Sequence, residues 1–513
     1  MPTRQPSRIG VADYFLDDRI RDGMGERTAL RTSEGEVSYR ELQLRSNRFA
    51  NALESLGVRP EERVLVGLPD TPDFPAALFG TLKRGAVAVM VNCYLGAERM
   101  RELYEYTRAR AAIVHADHAD TFRSAAHLAG HPPELLVVGT DEGDALIDNS
   151  ASHYVNYDLH SDDPAIWLFS GGTTGRPKGV VQSHASFVNT TERYARGVIG
   201  YRADDITLSV PKLYFGYATG SNLLFPLSVG ASAVLFPERS TADEIFRQIE
   251  RHRPTILVNV PTMVNHMLAH PDAGLRDVGS LRLATSAGEA LPVSLHRRWN
   301  EVFGVELLDG LGTAEMWHIF ISNRPGQARP GTLGTAVPGF EVRLCDEDGQ
   351  EVAPGEVGRM RVRGDSRAHA YWRRPGETRR AFVGEWYVSG DMMSVDEEGF
   401  FTYRGRDDDL LKVSGKWFSP REAEERLLEH PGVREAAVVG ATAENGLTVP
   451  VAFVVAASEA DAGELPEALG EHLRGRLESY KHPREVHLLD DLPRTHLGKV
   501  DRGALRRGWA GRR

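Results

Sequence analysis

Apolar residues in the first two-thirds of the chain come in two rhythms. Leu42, Phe49, Leu53 and Leu56 fall at helical spacing. Ser38 and Glu41 form a capping-box signature ahead of them, and Gly57 stands where a C-cap glycine would. Short continuous apolar runs at 64–68, 86–91, 113–114 and 135–138 predict buried strands, and residues 74–83 predict a helix between the first two. Strands alternating with helices predict a parallel sheet with helices on its faces. The rhythm then repeats. Strands are predicted at 206–210, 233–236, 256–260, 281–284 and 305–308, with helices at 242–251 and 262–269. Two such series predict two α/β subdomains, ending near residue 337.

From 338 to 403 the helical spacing disappears. Short strands at 341–344, 358–363 and 399–403 are separated by Asp-Gly, Pro-Gly and Gly-Asp turns, which predicts a small antiparallel β unit. A charged knot, Arg-Gly-Arg-Asp-Asp-Asp at 404–409, reads as a linker or hinge. Beyond it lies a compact α/β segment, with helices at 420–428 and 464–477 and strands at 436–439, 451–455 and 485–488.

Composition narrows the function. At 513 residues the chain is too long for one core. Its 41% hydrophobic and 26% charged content fits a globular enzyme. A net charge of −11 disfavours a nucleic-acid partner, although local donors can still hold an anionic nucleotide. Two distant cysteines, Cys93 and Cys345, cannot build a disulfide framework or a cysteine-rich metal site. The N-terminus lacks the apolar core of a signal peptide, and the longest apolar stretch is far short of a membrane span. A cytoplasmic protein without membrane contact is expected.

The densest chemistry lies at 167–179, Trp-Leu-Phe-Ser-Gly-Gly-Thr-Thr-Gly-Arg-Pro-Lys-Gly. Gly171, Gly172 and Gly175 clear space. Ser170, Thr173 and Thr174 supply hydroxyls beside exposed N–H groups, and Lys178 supplies a positive charge. Such a loop suits a polyphosphate. It is not the P-loop of nucleotide hydrolases, in which Gly-Lys-Ser/Thr opens a helix. Ligands bind at the carboxyl ends of strands in open α/β sheets, so the loops after Phe169, Ala284 and Leu308 are expected to converge. Asp391 could accept from ribose hydroxyls and Arg406 donate to them. Glu315 could hold Mg²⁺ on the phosphates, because that hard cation prefers oxygen.

Five further strings are as distinctive as the loop. They are Ser-Ala-Gly-Glu-Ala-Leu-Pro at 286–292, Asp-Gly-Leu-Gly-Thr-Ala-Glu-Met-Trp-His at 309–318 and Glu-Trp-Tyr-Val-Ser-Gly-Asp at 385–391. The last two are Tyr-Arg-Gly-Arg-Asp-Asp-Asp-Leu-Leu-Lys-Val-Ser-Gly at 403–415 and Leu-Pro-Arg-Thr-His-Leu-Gly-Lys-Val-Asp-Arg at 492–502. In this order they resemble the adenylate-forming superfamily of acyl-CoA synthetases, peptide-synthetase adenylation domains and luciferases. The segments at 212–220 and 315–323 look most like those of benzoate-CoA ligases.

The resemblance implies an α/β fold. Residues 1–407 would form a large AMP-binding domain of two α/β subdomains plus a small β-barrel-like unit at 338–407. Residues 408–513 would form a small mobile α+β domain hinged near Asp408. It implies MgATP and CoA, the latter as thiol substrate. A carboxylate would attack the α-phosphorus to give acyl-AMP and pyrophosphate, and a thiol would then displace AMP. By resemblance, Lys499 is the catalytic lysine of the first step, and Lys412 and the Gly415 face serve the second. Gly288, Glu289, Asp309, Gly310 and Thr313 border the nucleotide. Gly216, Tyr217, Gly312 and His318 line the acid pocket. Two alternatives remain open: a carrier protein's phosphopantetheine thiol in place of CoA, and a non-catalytic acyl-adenylate-binding protein. A monomer or homodimer is expected.

Three positions depart from the family pattern. Ala314 stands where threonine is usual before the metal-site glutamate, Gly216 where benzoate ligases often have alanine, and Trp317 where they tend to have an aliphatic residue. A lost methyl at 216 would widen the acid pocket.

Overall fold

The computed structural model describes residues 7–170, 178–407, 411–413, 416–442, 448–457, 464–494 and 500–510. They divide into two compact units, Met1–Glu341 with Val362–Tyr387, and Val342–Arg361 with Val388–Arg513.

Two sheets organise the first unit. The seven-stranded sheet runs in the order Ala370–Tyr371, Lys178–Ser183, Pro164–Ser170, Val87–Met90, Arg63–Gly67, Ala111–His115 and Glu134–Val138. Its centre is parallel, as the continuous apolar runs predict. Leu65, Val89, Val114 and Trp167 pack there against Tyr104 and Phe122 from flanking helices. The nine-stranded sheet has a parallel centre too, with Ile206–Ser209, Ile256–Asn259, Leu283–Ser286 and Leu307–Gly312 as successive neighbours or near neighbours. Helix Tyr39–Ser55 starts where expected. The Ser38 hydroxyl accepts the Glu41 N–H, and the Glu41 carboxylate accepts the Ser38 N–H at 2.7 Å.

Both edges of the nine-stranded sheet and one edge of the seven-stranded sheet, where Lys178–Ser183 and Ala370–Tyr371 lie, are antiparallel rather than parallel. Strand Lys178–Ser183, which folds back along Pro164–Ser170, has only Val180 and Val181 as a strand signal. Gln182 and Ser183 are buried in spite of their polarity.

In the second unit, strands at 341–345, 358–363 and 401–406 appear close to their predicted places. The long strand Trp386–Val395 was not predicted. Ser389 and Asp391 take two of its inward positions, so its alternation does not read as apolar. Further on, Val433–Thr442 pairs antiparallel with Thr448–Ala456, which pairs parallel with Glu485–Leu488. Helices Pro420–Leu428 and Leu465–Leu473 cover one core, and Arg502–Ala510 contributes Leu505 and Trp509 to a second. The helix expected to reach 477 stops at Leu473, just before Gly475, whose φ is +76°. Among the described residues no helix is long and apolar enough to cross a membrane.

Candidate active site

The Gly/Thr loop joins two antiparallel strands. Ser170 and Lys178 are register partners at its base. Gly171, Gly172, Thr173, Thr174 and Gly175 lie outside the described residues. Lys178 emerges half-buried, its Nζ 2.8 Å from Glu377 and 5.2 Å from the centre of the Tyr371 ring. Lys178 holds the Glu377 carboxyl below its ordinary range. Glu377 stands in the first turn of helix Pro375–Ala381, which starts on a proline pre-set for helix.

The ends of the nine-stranded sheet's strands bring the next group. Ser286 and Asp309 are register neighbours. Gly288 has φ +87° and open space beside it. Glu289 Oε2 accepts the N–H of Thr262 at 3.1 Å and its hydroxyl at 2.7 Å. It thereby caps helix Pro261–Ala269, satisfying an N–H that the helix itself cannot. Asp309 is buried, and its carbonyl accepts the N–H and side-chain amide of Asn323. Gly310 and Gly312 are needed by a close neighbour. A Cβ at 310 would lie 2.9 Å from the Ile321 carbonyl oxygen, and one at 312 would lie 2.5 Å from that of His318.

The short turn Ala314–Met316 follows. The Thr313 hydroxyl is buried and has no hydrogen-bond partner among the described residues. Ala314 offers no hydroxyl, but its carbonyl accepts Gln182 Nε2 at 2.7 Å. Glu315 is buried, and Tyr371 donates its hydroxyl to it at 2.7 Å. Burial first, then the Glu315 charge, drives the Tyr371 hydroxyl's pKa far up, so it stays a donor. No cluster of three or more His, Cys, Asp or Glu among the described residues could hold a metal. A cation at Glu315 would thus rely on phosphate oxygens, the ligand set Mg²⁺ commonly takes. Glu315 suits that set: it is an oxygen ligand beside the loop-base lysine's own neighbour, Tyr371.

The expected acid-pocket residues also meet. Tyr217 shares a hydrogen bond with Thr285 at 2.7 Å between hydroxyl oxygens. His318 Nε2 lies 3.1 Å from the Tyr217 carbonyl and 3.2 Å from Ser221 Oγ. A carbonyl can only accept, so Nε2 carries the hydrogen and Nδ1 is left as an acceptor. Nδ1 is buried without a partner among the described residues. Burial pushes the ring's pKa down to about 3, so it is neutral. Tyr194, Tyr217, Phe225 and Trp317 surround it, with ring centres 4.7 to 5.8 Å away.

Gly216 corrects one expectation. A Cβ there would sit 3.0 and 3.2 Å from the Leu168 methyls and 3.6 Å from Trp317 Cζ3. The volume of the absent methyl is therefore already closed by Leu168 and Trp317, and the pocket is not widened. The two departures from the family pattern are neighbours: the place a methyl at 216 would take lies 3.6 Å from the Trp317 ring.

Three residues at this site gave no usable sequence signal. Glu377 and Tyr371 lie in the 338–403 segment that the sequence reads as an antiparallel β unit without helices, whereas Glu377 stands on helix Pro375–Ala381. Asp70 follows the strand Arg63–Gly67, is buried, and accepts the Leu213 N–H at 3.0 and 3.2 Å. Burial raises its pKa to about 6 in spite of Lys212 nearby. Lys212 donates to the Phe236 carbonyl at 2.8 Å, and burial lowers its own pKa to about 8. Asp70 thus fastens the segment that leads into Gly216 and Tyr217.

In the second unit Asp391 is buried. Tyr403 donates its hydroxyl to it at 3.2 Å, and Arg406 stands 3.5 Å away. Ser389 also donates to it. The backbone of Lys412 pairs with Trp417 in a small hairpin. The Lys412 side chain, Asp408, Gly415 and Lys499 lie outside the described residues.

Comparison with known proteins gives the family. Residues 17–372 match the AMP-binding enzyme family, and residues 422–499 match the AMP-binding enzyme C-terminal domain. The chain is 42% identical to a benzoate–CoA ligase of Thauera aromatica, over 98% of this chain and 96% of that protein. Its structure is similar to that of the anthranilate CoA ligase AuaEII in complex with anthranoyl-AMP. There the TM-score is 0.95 at 35% identity, covering 99% of each chain. It is also similar to a benzoate CoA ligase from Burkholderia xenovorans LB400, with a TM-score of 0.90 at 39% identity, covering 97% of this chain and 100% of that one. The chain belongs to the AMP-binding enzyme family of adenylate-forming proteins.

Proposed function

We propose that the protein is an ATP-dependent aryl acid–thiol ligase. An oxygen of a benzoate carboxylate attacks the α-phosphorus of ATP, the bond to the β-phosphate oxygen breaks, and aryl-AMP and pyrophosphate form. The sulfur of CoA then attacks the acyl carbon, and AMP leaves. The observation that carries this reading is the neutral, buried His318 inside a ring of aromatic side chains, three residues from the buried carboxylate of Glu315. A flat apolar enclosure beside a phosphate-and-metal site suits an aromatic acid. The benzoate and anthranilate ligases similar to this chain support the same class.

In this reading Ser170, Lys178 and the loop residues Gly171, Gly172, Thr173, Thr174 and Gly175 hold the phosphates, with Thr313 as a further hydroxyl. Gly288, Glu289, Asp309 and Gly310 border the adenine. Asp391 accepts from the ribose hydroxyls and Arg406 donates. Glu315 holds Mg²⁺, which would supply charge neutralisation on the phosphates. Lys499 balances charge between carboxylate and α-phosphate in the first step. A turn of the C-terminal domain about Asp408 then brings Lys412 and the Gly415 face into use for the second, so one pocket serves both half-reactions.

His318 favours a more specific substrate. Its Nδ1, without a partner among the described residues, is an acceptor that a ring hydroxyl or amine could satisfy, whereas unsubstituted benzoate offers it no donor. The test measures AMP release with CoA over a panel of benzoate and its hydroxy, amino and chloro derivatives, repeated with acyl carrier proteins as acceptor. Donor-bearing rings should lead. Aliphatic acids ahead of every aromatic one would refute the aryl reading, and absence of acid-dependent pyrophosphate exchange would refute catalysis.

A further inference from the structure

Two groups in the first unit are assigned above to the nucleotide, Lys178 to phosphate and Glu315 to the metal. Both already have protein partners. Both partners come from one short stretch: Tyr371 donates to Glu315, and Glu377 holds Lys178 at 2.8 Å. That stretch is internally tied. Thr378 Oγ1 accepts the Tyr371 N–H at 3.1 Å and donates to the Arg374 carbonyl at 2.9 Å. Its neighbour Trp372 donates its N–H to the Gly179 carbonyl and its indole N–H to the Tyr106 carbonyl. The loop-base strand and the helix carrying Glu377 are thereby held in fixed relation.

We propose that Glu377 is a positioning residue that stands in for the nucleotide's phosphate. It keeps the Lys178 ammonium at the base of the loop while the site is empty and yields it when ATP arrives. Three observations carry this. The Lys178–Glu377 pair is partly solvated, its side chains 21% and 29% exposed, so it is weak enough to exchange. A triphosphate brings several negative charges where Glu377 brings one, so the ammonium gains by moving. Glu377 is not stranded by the exchange, because Arg374 stands 3.6 Å from its other oxygen. The inference rests on the assignment of Lys178 to the phosphates, and the experiment separates the two.

Binding of ATP without acid is followed by calorimetry in the wild type, Glu377→Gln, Lys178→Ala and the double variant. Thermal melting checks that each is folded. Pyrophosphate exchange gives KM for ATP and for the acid separately. Removing a weak, partly solvated competitor should tighten ATP binding about two- to five-fold, with the acid KM unchanged. In the Lys178→Ala background the same change should have no effect, because the lysine through which Glu377 acts is gone. Glu377→Asp should fall between wild type and Glu377→Gln. Unchanged or weakened ATP binding in Glu377→Gln would overturn the proposal. So would equal tightening with and without Lys178, which would mean simple repulsion of ATP. If Lys178→Ala binds ATP like the wild type, the phosphate assignment itself fails, and this inference falls with it.

Discussion

Gly220→Ala is the sharpest single test of how the acid pocket is built. Gly220 has helical backbone angles, φ −68° and ψ −66°, so alanine fits its conformation. On helix propensity alone the substitution should stabilise by about 1 kcal/mol. Packing opposes that gain. The new Cβ would sit 2.6 Å from His318 Nε2 and 3.1 Å from Phe225 Cζ. The imidazole cannot step aside freely, since Nε2 is bonded to the Tyr217 carbonyl and aromatic rings crowd it. Overpacking typically costs about 1–3 kcal/mol. Pulling Nε2 off its buried acceptor costs about 1–3 kcal/mol more. The sum exceeds the propensity gain, so the variant should be net destabilised by about 1–5 kcal/mol. Thermal melting with and without a bound aromatic acid reads the stability. Pyrophosphate exchange reads KM for the acid, which should rise while KM for ATP holds. Adding His318→Ala to Gly220→Ala should recover much of the lost stability, because the clash then has no partner. A Gly220→Ala protein as stable as the wild type, with an unaltered acid KM, would refute the placement of His318.

Other expectations follow from named groups. Lys499→Ala should reduce adenylation by about 10²- to 10³-fold while sparing thiolysis of supplied aryl-AMP, checked by pyrophosphate exchange against single-turnover thioester formation. Equal loss of both steps would contradict the division of labour. Lys83 and Asp17 form a buried pair at 2.6 Å, and Asn156 also donates to Asp17. Lys83→Met leaves that carboxylate uncompensated and should destabilise by about 3–5 kcal/mol, seen in denaturant melts, with Lys83→Met/Asp17→Leu milder. His318 has its pKa lowered from 6.5 to about 3. Its contribution to stability is therefore present above pH 6.5 and is lost as pH falls toward 3, because the unfolded chain takes up a proton that the folded ring refuses. The slope from this one ring is about 1.4 kcal/mol per pH unit. His318→Phe should flatten the acid limb of the stability profile, though buried His184 keeps part of it. An unchanged limb would count against a neutral imidazole in the wild type.

Much of the fold was legible because most strands in the parallel centres are short apolar runs bounded by turn residues. The capping box at Ser38 and the strands Arg63–Gly67, Ala111–His115 and Ile256–Asn259 lie where their sequence puts them. What failed to show shares a cause. Strand Trp386–Val395 carries Ser389 and Asp391 at buried positions, and Lys178–Ser183 carries Gln182 and Ser183 there. Polar side chains bonded inside the protein do not announce a strand. The pocket residues 216, 217, 312 and 318 could be named from motifs, but the reason for Gly312 is a backbone approach visible only in three dimensions. Asp70 and Glu377 bear no motif, and each matters through a partner more than a hundred positions away.

The Asp70 bond has a bearing on attempts to re-specify this enzyme by transplanting the 211–220 stretch from a relative. That stretch is not a free-standing cassette. Its Leu213 amide is claimed by a carboxylate encoded some 140 positions upstream. A graft that puts proline at 213, or that shifts this main chain away from residue 70, would leave a buried acid without its donor, and its failure would say nothing about which rings the new lining accepts.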